Sequence, residues 1–176
     1  QLFFMPFNLL QGAWGKVALP NGSKLRASNK MRQFFKQQVA VTLMMAFVIA
    51  VYSLILIKLS PFLLEFLLTG EYEKSFEYIV LLALIAAMSS AVANASCGLQ
   101  VALQFQQLTI IHFVVMIITI ISCLLLMNSF GAKGALASVL IGHTLFATIL
   151  WKRFYSESFR SKPATLNNQE KVYLGV

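Results

Sequence analysis

Few residues in this 176-residue sequence have side chains suited to chemistry. There is no Asp, and the six acids are Glu65, Glu71, Glu73, Glu77, Glu157 and Glu170. Glu71, Glu73 and Glu77 are spaced closely enough to suggest a cation site, although three acids on an exposed loop more often only solvate it. Cys97 and Cys123 fall in different apolar stretches with no metal-ligand spacing, and a disulfide between them inside a bilayer is implausible. His143 stands nine residues before Lys152 and ten after Lys133, deep in an uncharged run. A protonatable coupling site and a hydrogen-bonded core histidine are both open there, the second being the default; His112, near a predicted helix end, is a weaker candidate. No glycine-rich phosphate loop, HExxH or GxSxG occurs. These residues imply neither an enzyme nor a cofactor nor a bound metal.

The apolar segments that must hold these residues dominate the chain. Hydrophobic residues make up 59% and charged residues 11%, against about 45–50% and about 25% in an ordinary soluble domain. A soluble fold of this size leaves too much surface in water to hide that excess. Between Glu77 and Lys133 lie 55 residues without a charge. A membrane-crossing helix needs about 20 apolar residues, so this run predicts two crossings. Gln104-Phe105-Gln106-Gln107 marks the turn between them. Continuous runs of this length exclude barrel strands, which are shorter and alternate. The expected fold is therefore an all-α integral membrane protein with four full transmembrane helices and one partial N-terminal helix. The boundaries are a partial helix over 1–19, a basic loop over 20–36, and transmembrane helices over 37–69, 78–103, 108–128 and 134–151. An acidic loop occupies 70–77 and a tail 152–176. The apolar start, opening on Gln rather than Met, suggests the end of a helix that begins upstream; bases after it rather than before it argue against a signal peptide.

Charge sets the expected orientation. The loop holding Lys16, Lys24, Arg26, Lys30, Arg32 and Lys36 carries +6 and no acid. The loop from Glu65 to Glu77 carries −3, and the tail from Lys152 carries +3. Alternation puts the basic loop, the Gln-rich turn and the C-terminus on one side, which the positive-inside rule makes cytoplasmic. Pro20-Asn21-Gly22 is a turn signal, with Ser23 as a cap. From Ser23 to Gln37, Ala27, Met31, Phe34 and Phe35 share one helical face, and Lys24, Arg26, Lys30, Arg32 and Lys36 take the rest. That pattern predicts an amphipathic helix on anionic phospholipids. Its place between membrane segments makes nucleic acid an implausible partner. Trp14, Tyr72, Tyr78, Trp151 and Tyr155 sit at predicted helix ends, as an aromatic belt would.

Polar residues inside spans are where function would show. Lys58 either faces a hydrated cavity or, as the default, snorkels to the outer interface. Ser90, Asn94 and Gly98 recur at every fourth position, as do Gly134, Ser138 and Gly142. Small residues at that spacing let helices approach closely, so packing is their default role. Asn94 and Gln100 could instead line a polar pathway, together with Lys58 and His143.

Several motifs then stand in a suggestive order. Leu59-Ser60-Pro61-Phe62-Leu63-Leu64 is followed by Leu67-Leu68-Thr69-Gly70-Glu71-Tyr72, then by a helix carrying Gly98-Leu99-Gln100, then by Phe130-Gly131-Ala132-Lys133-Gly134-Ala135-Leu136-Ala137. From about Phe3 to Phe154 the chain resembles the C-terminal half of bacterial polysaccharide flippases of the multidrug/oligosaccharidyl-lipid/polysaccharide superfamily. The individual motifs are loose; their order carries the resemblance. It implies a helical lobe of a MATE-like transporter in the bacterial inner membrane, with a cytoplasmic C-terminus. It further implies an undecaprenyl-diphosphate-linked oligosaccharide as substrate and polysaccharide polymerase and ligation machinery as partners. Lys58 is then the one base expected within a span, which departs from the cationic cavities of that family. A drug or cation exporter of the superfamily is an alternative, but it would want acids inside its helices. A non-transporting membrane scaffold is another, and it would bury the polar stripe around Asn94 against neighbouring helices.

Overall fold

The computed structural model describes residues 5–67 and 78–159, with side chains placed for 5–59 and 78–159. Four helical stretches fill these residues, and no strand occurs among them. Helix α1 is Met5–Ala27, α2 is Met31–Leu67 and α3 is Ile79–Val101. The fourth stretch, Phe105–Phe159, is broken at Gly131, whose φ of 58° and ψ of −137° are not helical. A straight helix would hold His112 and Phe146 about 51 Å apart, yet their rings meet edge to face at 4.3 Å. The stretch is therefore an antiparallel hairpin of α4 (105–130) and α5 (132–159). Three stretches are long and apolar enough to cross a membrane: Met31–Leu59, Ile79–Val101 and Phe105–Phe159. The acidic loop 70–77 and everything after Phe159 lie outside the described residues.

The turns at one end of the bundle explain themselves chemically. After α1, Asn29 takes the left-handed conformation, φ 55°. Its N–H then reaches the Arg26 carbonyl at 2.9 Å, and the Lys30 N–H reaches Leu25 at 2.8 Å. After α3, Leu103 does the same, φ 59°, with Leu103 N–H on Gln100 at 2.9 Å and Gln104 N–H on Leu99 at 3.0 Å. Both are paired-bond C-terminal caps that satisfy otherwise orphaned carbonyls. Asn suits the left-handed position; Leu there is unusual.

Two expectations about the first helices are corrected. The turn expected at Pro20-Asn21-Gly22 lies inside α1, which runs on to Ala27. The basic segment is not a separate amphipathic helix either, because the break at Asn29 divides it between the end of α1 and the start of α2. Phe34 is buried and Met31 and Phe35 partly so, all against the bundle itself rather than against lipid. Phe35 stands within 5.1–6.0 Å of the rings of Trp151, Phe154, Tyr155 and Phe159. Trp151 also leaves the expected belt: it packs on this cluster and donates its indole N–H to the Ala91 carbonyl at 3.1 Å.

Helix α3 is the hub. It touches α1, α2 and the α4–α5 hairpin, and it holds much of the buried core. Gly98 gives way to the Phe154 ring: a Cβ there would lie 2.5 Å from the ring. Gly22 on α1 likewise admits Val101 and Phe34, at 2.6 and 2.7 Å from where a Cβ would stand. Against this, α4 presents an almost unbroken apolar exterior through Ile110, Phe113, Val114, Ile117, Ile121 and Leu124. Such a surface is at home in hydrocarbon and not in water.

Candidate functional site

The polar side chains inside the bundle converge on one place. Gln11 and Trp14 come from α1, Gln38 and Thr42 from α2, Ser90 and Asn94 from α3. Each pair is three or four residues apart, so each shares one face of its helix. Gln11 Nε2 donates to Asn94 Oδ1 at 2.9 Å, and Ser90 Oγ donates to Gln11 Oε1 at 2.9 Å. Asn94 Nδ2 donates to Thr42 Oγ1 at 2.8 Å, and the Thr42 hydroxyl in turn donates to the Gln38 backbone carbonyl at 2.8 Å. Trp14 Nε1 points to Gln38 Oε1 at 3.4 Å. Asn94 and Gln38 are wholly buried.

In this arrangement Asn94 is closed within the bundle, as its default packing role expects. Its carboxamide ties α3 to both α1 and α2, with its oxygen and its nitrogen each bonded. What the network does is lock α1, α2 and α3 in one register, since every partner is fixed by distance. It holds no group that titrates near neutrality. The Gln38 amide nitrogen is its one donor without an acceptor. Among the described residues, no cluster of His, Cys, Asp or Glu is placed to hold a metal ion. Sequence reasoning missed Gln11, Trp14, Gln38 and Thr42. The available sign was Gln38 and Thr42 at helical spacing within an apolar run, and Gln11 within the first apolar stretch.

The other expected pathway residues are scattered. Lys58 is exposed on α2, and the antiparallel register set by Thr42 and Asn94 places it level with the start of α3. Near that same end, the Lys133 ammonium lies 5.9 Å from the centre of the Tyr78 ring. Gln100 is half-buried near the opposite end of α3. His143 is half-buried in α5 and bonds to its own helix, Nδ1 on the Val139 carbonyl at 2.9 Å. The structure does not bring Lys58, Gln100 and Asn94 together.

The two small-residue stripes meet different neighbours. Ser90 and Asn94 bond toward α1 and α2, while Gly98 seats Phe154 of α5. Gly134, Ser138 and Gly142 are all buried. Gly134 lies against the Leu126 carbonyl and Gly142 against the Thr119 hydroxyl, so this stripe faces back onto α4.

Seven of the bases gather at one end. Arg26 donates to the Val101 carbonyl at 3.1 Å, tying the end of α1 to the end of α3. The Arg32 guanidinium sits 4.9 Å above the Phe159 ring, joining the start of α2 to the end of α5. Lys24, Lys30 and Lys36 are exposed there, as are Lys152 and Arg153. Residues more than a hundred positions apart thus form one basic surface. No protein-family model, curated protein or solved structure matches this chain.

Proposed function

We propose that this chain forms a membrane-spanning lobe of a flippase that moves undecaprenyl-diphosphate-linked oligosaccharide from the inner to the outer leaflet of the bacterial inner membrane. One observation carries the reading: three glycines of the motifs that resemble such flippases stand where this bundle needs a glycine, Gly131 for its backbone conformation and Gly98 and Gly134 for close approach. Gly131 takes a left-handed turn, Gly134 meets the Leu126 carbonyl, and Gly98 seats Phe154. The motif order and the helix packing thus make the same demand. The basic end supports a cytoplasmic placing of the α1–α2 turn, the α3–α4 turn and the end of α5.

The physical task is to carry a large polar glycan across about 30 Å of hydrocarbon. A lobe of this kind supplies a rigid wall that rocks as a unit while the lipid tail stays in the bilayer. The Gln11–Asn94–Thr42 network gives α1, α2 and α3 that rigidity. Lys58 and Gln100, at opposite ends of the bundle, and His143 of α5 are the residues proposed to touch substrate, while Asn94 holds the helices together. Anionic phospholipids are the partners proposed for Lys24, Arg26, Lys30, Arg32 and Lys36, which screen headgroup charge at the interface.

A scaffold without a transport pathway is the second reading, favoured by one observation: the polar stripe around Asn94 is closed within the bundle. Deletion of the full-length gene separates the two. The flippase reading expects lipid-linked oligosaccharide to accumulate on the cytoplasmic leaflet and complementation to clear it. Unchanged lipid-linked intermediates would sink it in favour of the scaffold.

A further inference from the structure

The basic end of the bundle contains a groove between two helices. Helix α2 begins there and α5 ends there, so the two run antiparallel away from it. Phe35 of α2 lies against the rings of Trp151, Tyr155 and Phe159, which recur at every fourth position of α5. Phe34 turns the other way, toward Gly22 of α1. Arg32 and Lys36 are one turn apart on the side of α2 away from Phe34, and both are exposed. On α5, Lys152 shares an exposed side with Tyr155 and Phe159, three and seven residues on. The Arg32 guanidinium already lies across the gap, 4.9 Å above the Phe159 ring. Arg32 and Lys36 thus form one wall of the groove and Lys152 the other, with the Tyr155 and Phe159 rings between.

The charge of this groove has no internal counterpart. Among the described side chains the one acid is Glu157, which is turned about 140° around α5 from Lys152. Toward the middle of the bundle both walls become apolar. Leu43 and Phe47 continue the lane of Lys36, and Leu145 and Ile141 continue that of Lys152, all four exposed. A cationic mouth above an apolar trough complements an anionic lipid, with its phosphate on the bases and its chains along the trough. The bases span about 10 Å of depth, because Lys152 is seven residues below Phe159. A lysine side chain is long enough to bring its ammonium up toward the other two. Three cations exceed the single charge of an ordinary phosphodiester headgroup, whereas two phosphates on one short linker meet all three.

We infer that the α2–α5 groove is a discrete site for one molecule of a membrane lipid whose headgroup carries two phosphates, held by Arg32, Lys36 and Lys152. Basic pockets between membrane helices on the cytoplasmic side recognise such headgroups. The site rests on the proposed contact of the basic end with anionic phospholipids, but on no transport activity. It replaces a diffuse attraction with a defined stoichiometry, and it brings in Lys152 from the far end of the chain.

The test uses the purified full-length protein in nonionic detergent. Native mass spectrometry counts the lipids retained as diphosphatidylglycerol is titrated, with phosphatidylglycerol at matched charge and phosphatidylcholine for comparison. One diphosphatidylglycerol should be retained well before a second, and before either comparison lipid. Arg32→Gln with Lys152→Gln should weaken its retention about thirtyfold. Lys24→Gln with Lys30→Gln removes as much charge from the same end but outside the groove, and should weaken it less than about threefold at 0.15 M salt. Equal weakening by the two pairs would overturn the site and leave only diffuse attraction. Equal retention of phosphatidylglycerol would overturn the two-phosphate headgroup. Displacement by an equimolar amount of undecaprenyl diphosphate would assign the groove to the transported lipid and overturn the proposal. No preference over phosphatidylcholine would overturn both the site and the phospholipid contact it rests on.

Discussion

Helices are held together in two different ways in this bundle. On one side of α3, α1 and α2 are joined to it by side-chain hydrogen bonds through Gln11, Thr42, Ser90 and Asn94. On the other, α4 and α5 are joined by bare backbone, with Gly134 on the Leu126 carbonyl and Gly142 on Thr119. In water both contacts would be subsidiary to hydrophobic burial. In lipid, apolar side chains gain little by leaving hydrocarbon for a helix interface, so polar bonds and close van der Waals approach carry the association. The polar contact fixes register one bond at a time and tolerates partial loss. The glycine contact allows nothing between the helices, so a single added methyl group disrupts it.

That difference orders the expected effects of substitution. Gly134→Val should be the most damaging, costing about 3 kcal/mol as the new side chain is driven into the Leu126 carbonyl. Reversible unfolding in mixed detergent micelles, followed by circular dichroism, measures it; a cost near that of an exposed substitution would contradict the hairpin. Asn94→Leu should cost about 1–2 kcal/mol, because two interhelical bonds are lost. Gly131→Ala should cost about 1 kcal/mol, purely from forcing a Cβ into the left-handed region, as nothing crowds the position. Ser90→Ala removes one bond and should cost about 0.6 kcal/mol. The comparison itself is sharpened by combining Asn94→Leu with Gly134→Val. The two contacts share no residue, so the double variant should match the sum of the singles within about 0.5 kcal/mol. A larger deviation would mean that α3 transmits strain from one contact to the other.

What was legible in the sequence follows from which forces act along the chain and which act across it. The runs between Lys36 and Lys58 and between Glu77 and Lys133 declare helices of membrane length, because hydrocarbon thickness sets a minimum run of apolar residues. The Gln-rich turn was placed within a few residues of the cap at Leu103 for the same reason. The α1–α2 turn was misplaced. Pro20-Asn21-Gly22 carries strong local turn chemistry, yet Gly22 is needed where Val101 and Phe34 press on α1, and the chain turns instead at Asn29. Trp151 was assigned to an interfacial belt on its position alone, and its packing against Phe35 depends on a partner more than a hundred residues away. The network around Asn94 was half visible. Ser90 and Asn94 stood out at helical spacing, but Gln11 and Gln38 acquire meaning only once three helices are brought side by side.

The central claim is that α2 to α5 cross one membrane, with the α1–α2 and α3–α4 turns on one side and the α4–α5 turn on the other. Single cysteines introduced at Asn29, Leu103 and Gly131, and treated with a membrane-impermeant maleimide in intact cells and in inverted vesicles, test it most directly. Asn29→Cys and Leu103→Cys should react only in inverted vesicles, and Gly131→Cys only in intact cells. Reaction of Asn29→Cys and Leu103→Cys from opposite sides, or of all three from one side, would contradict the account.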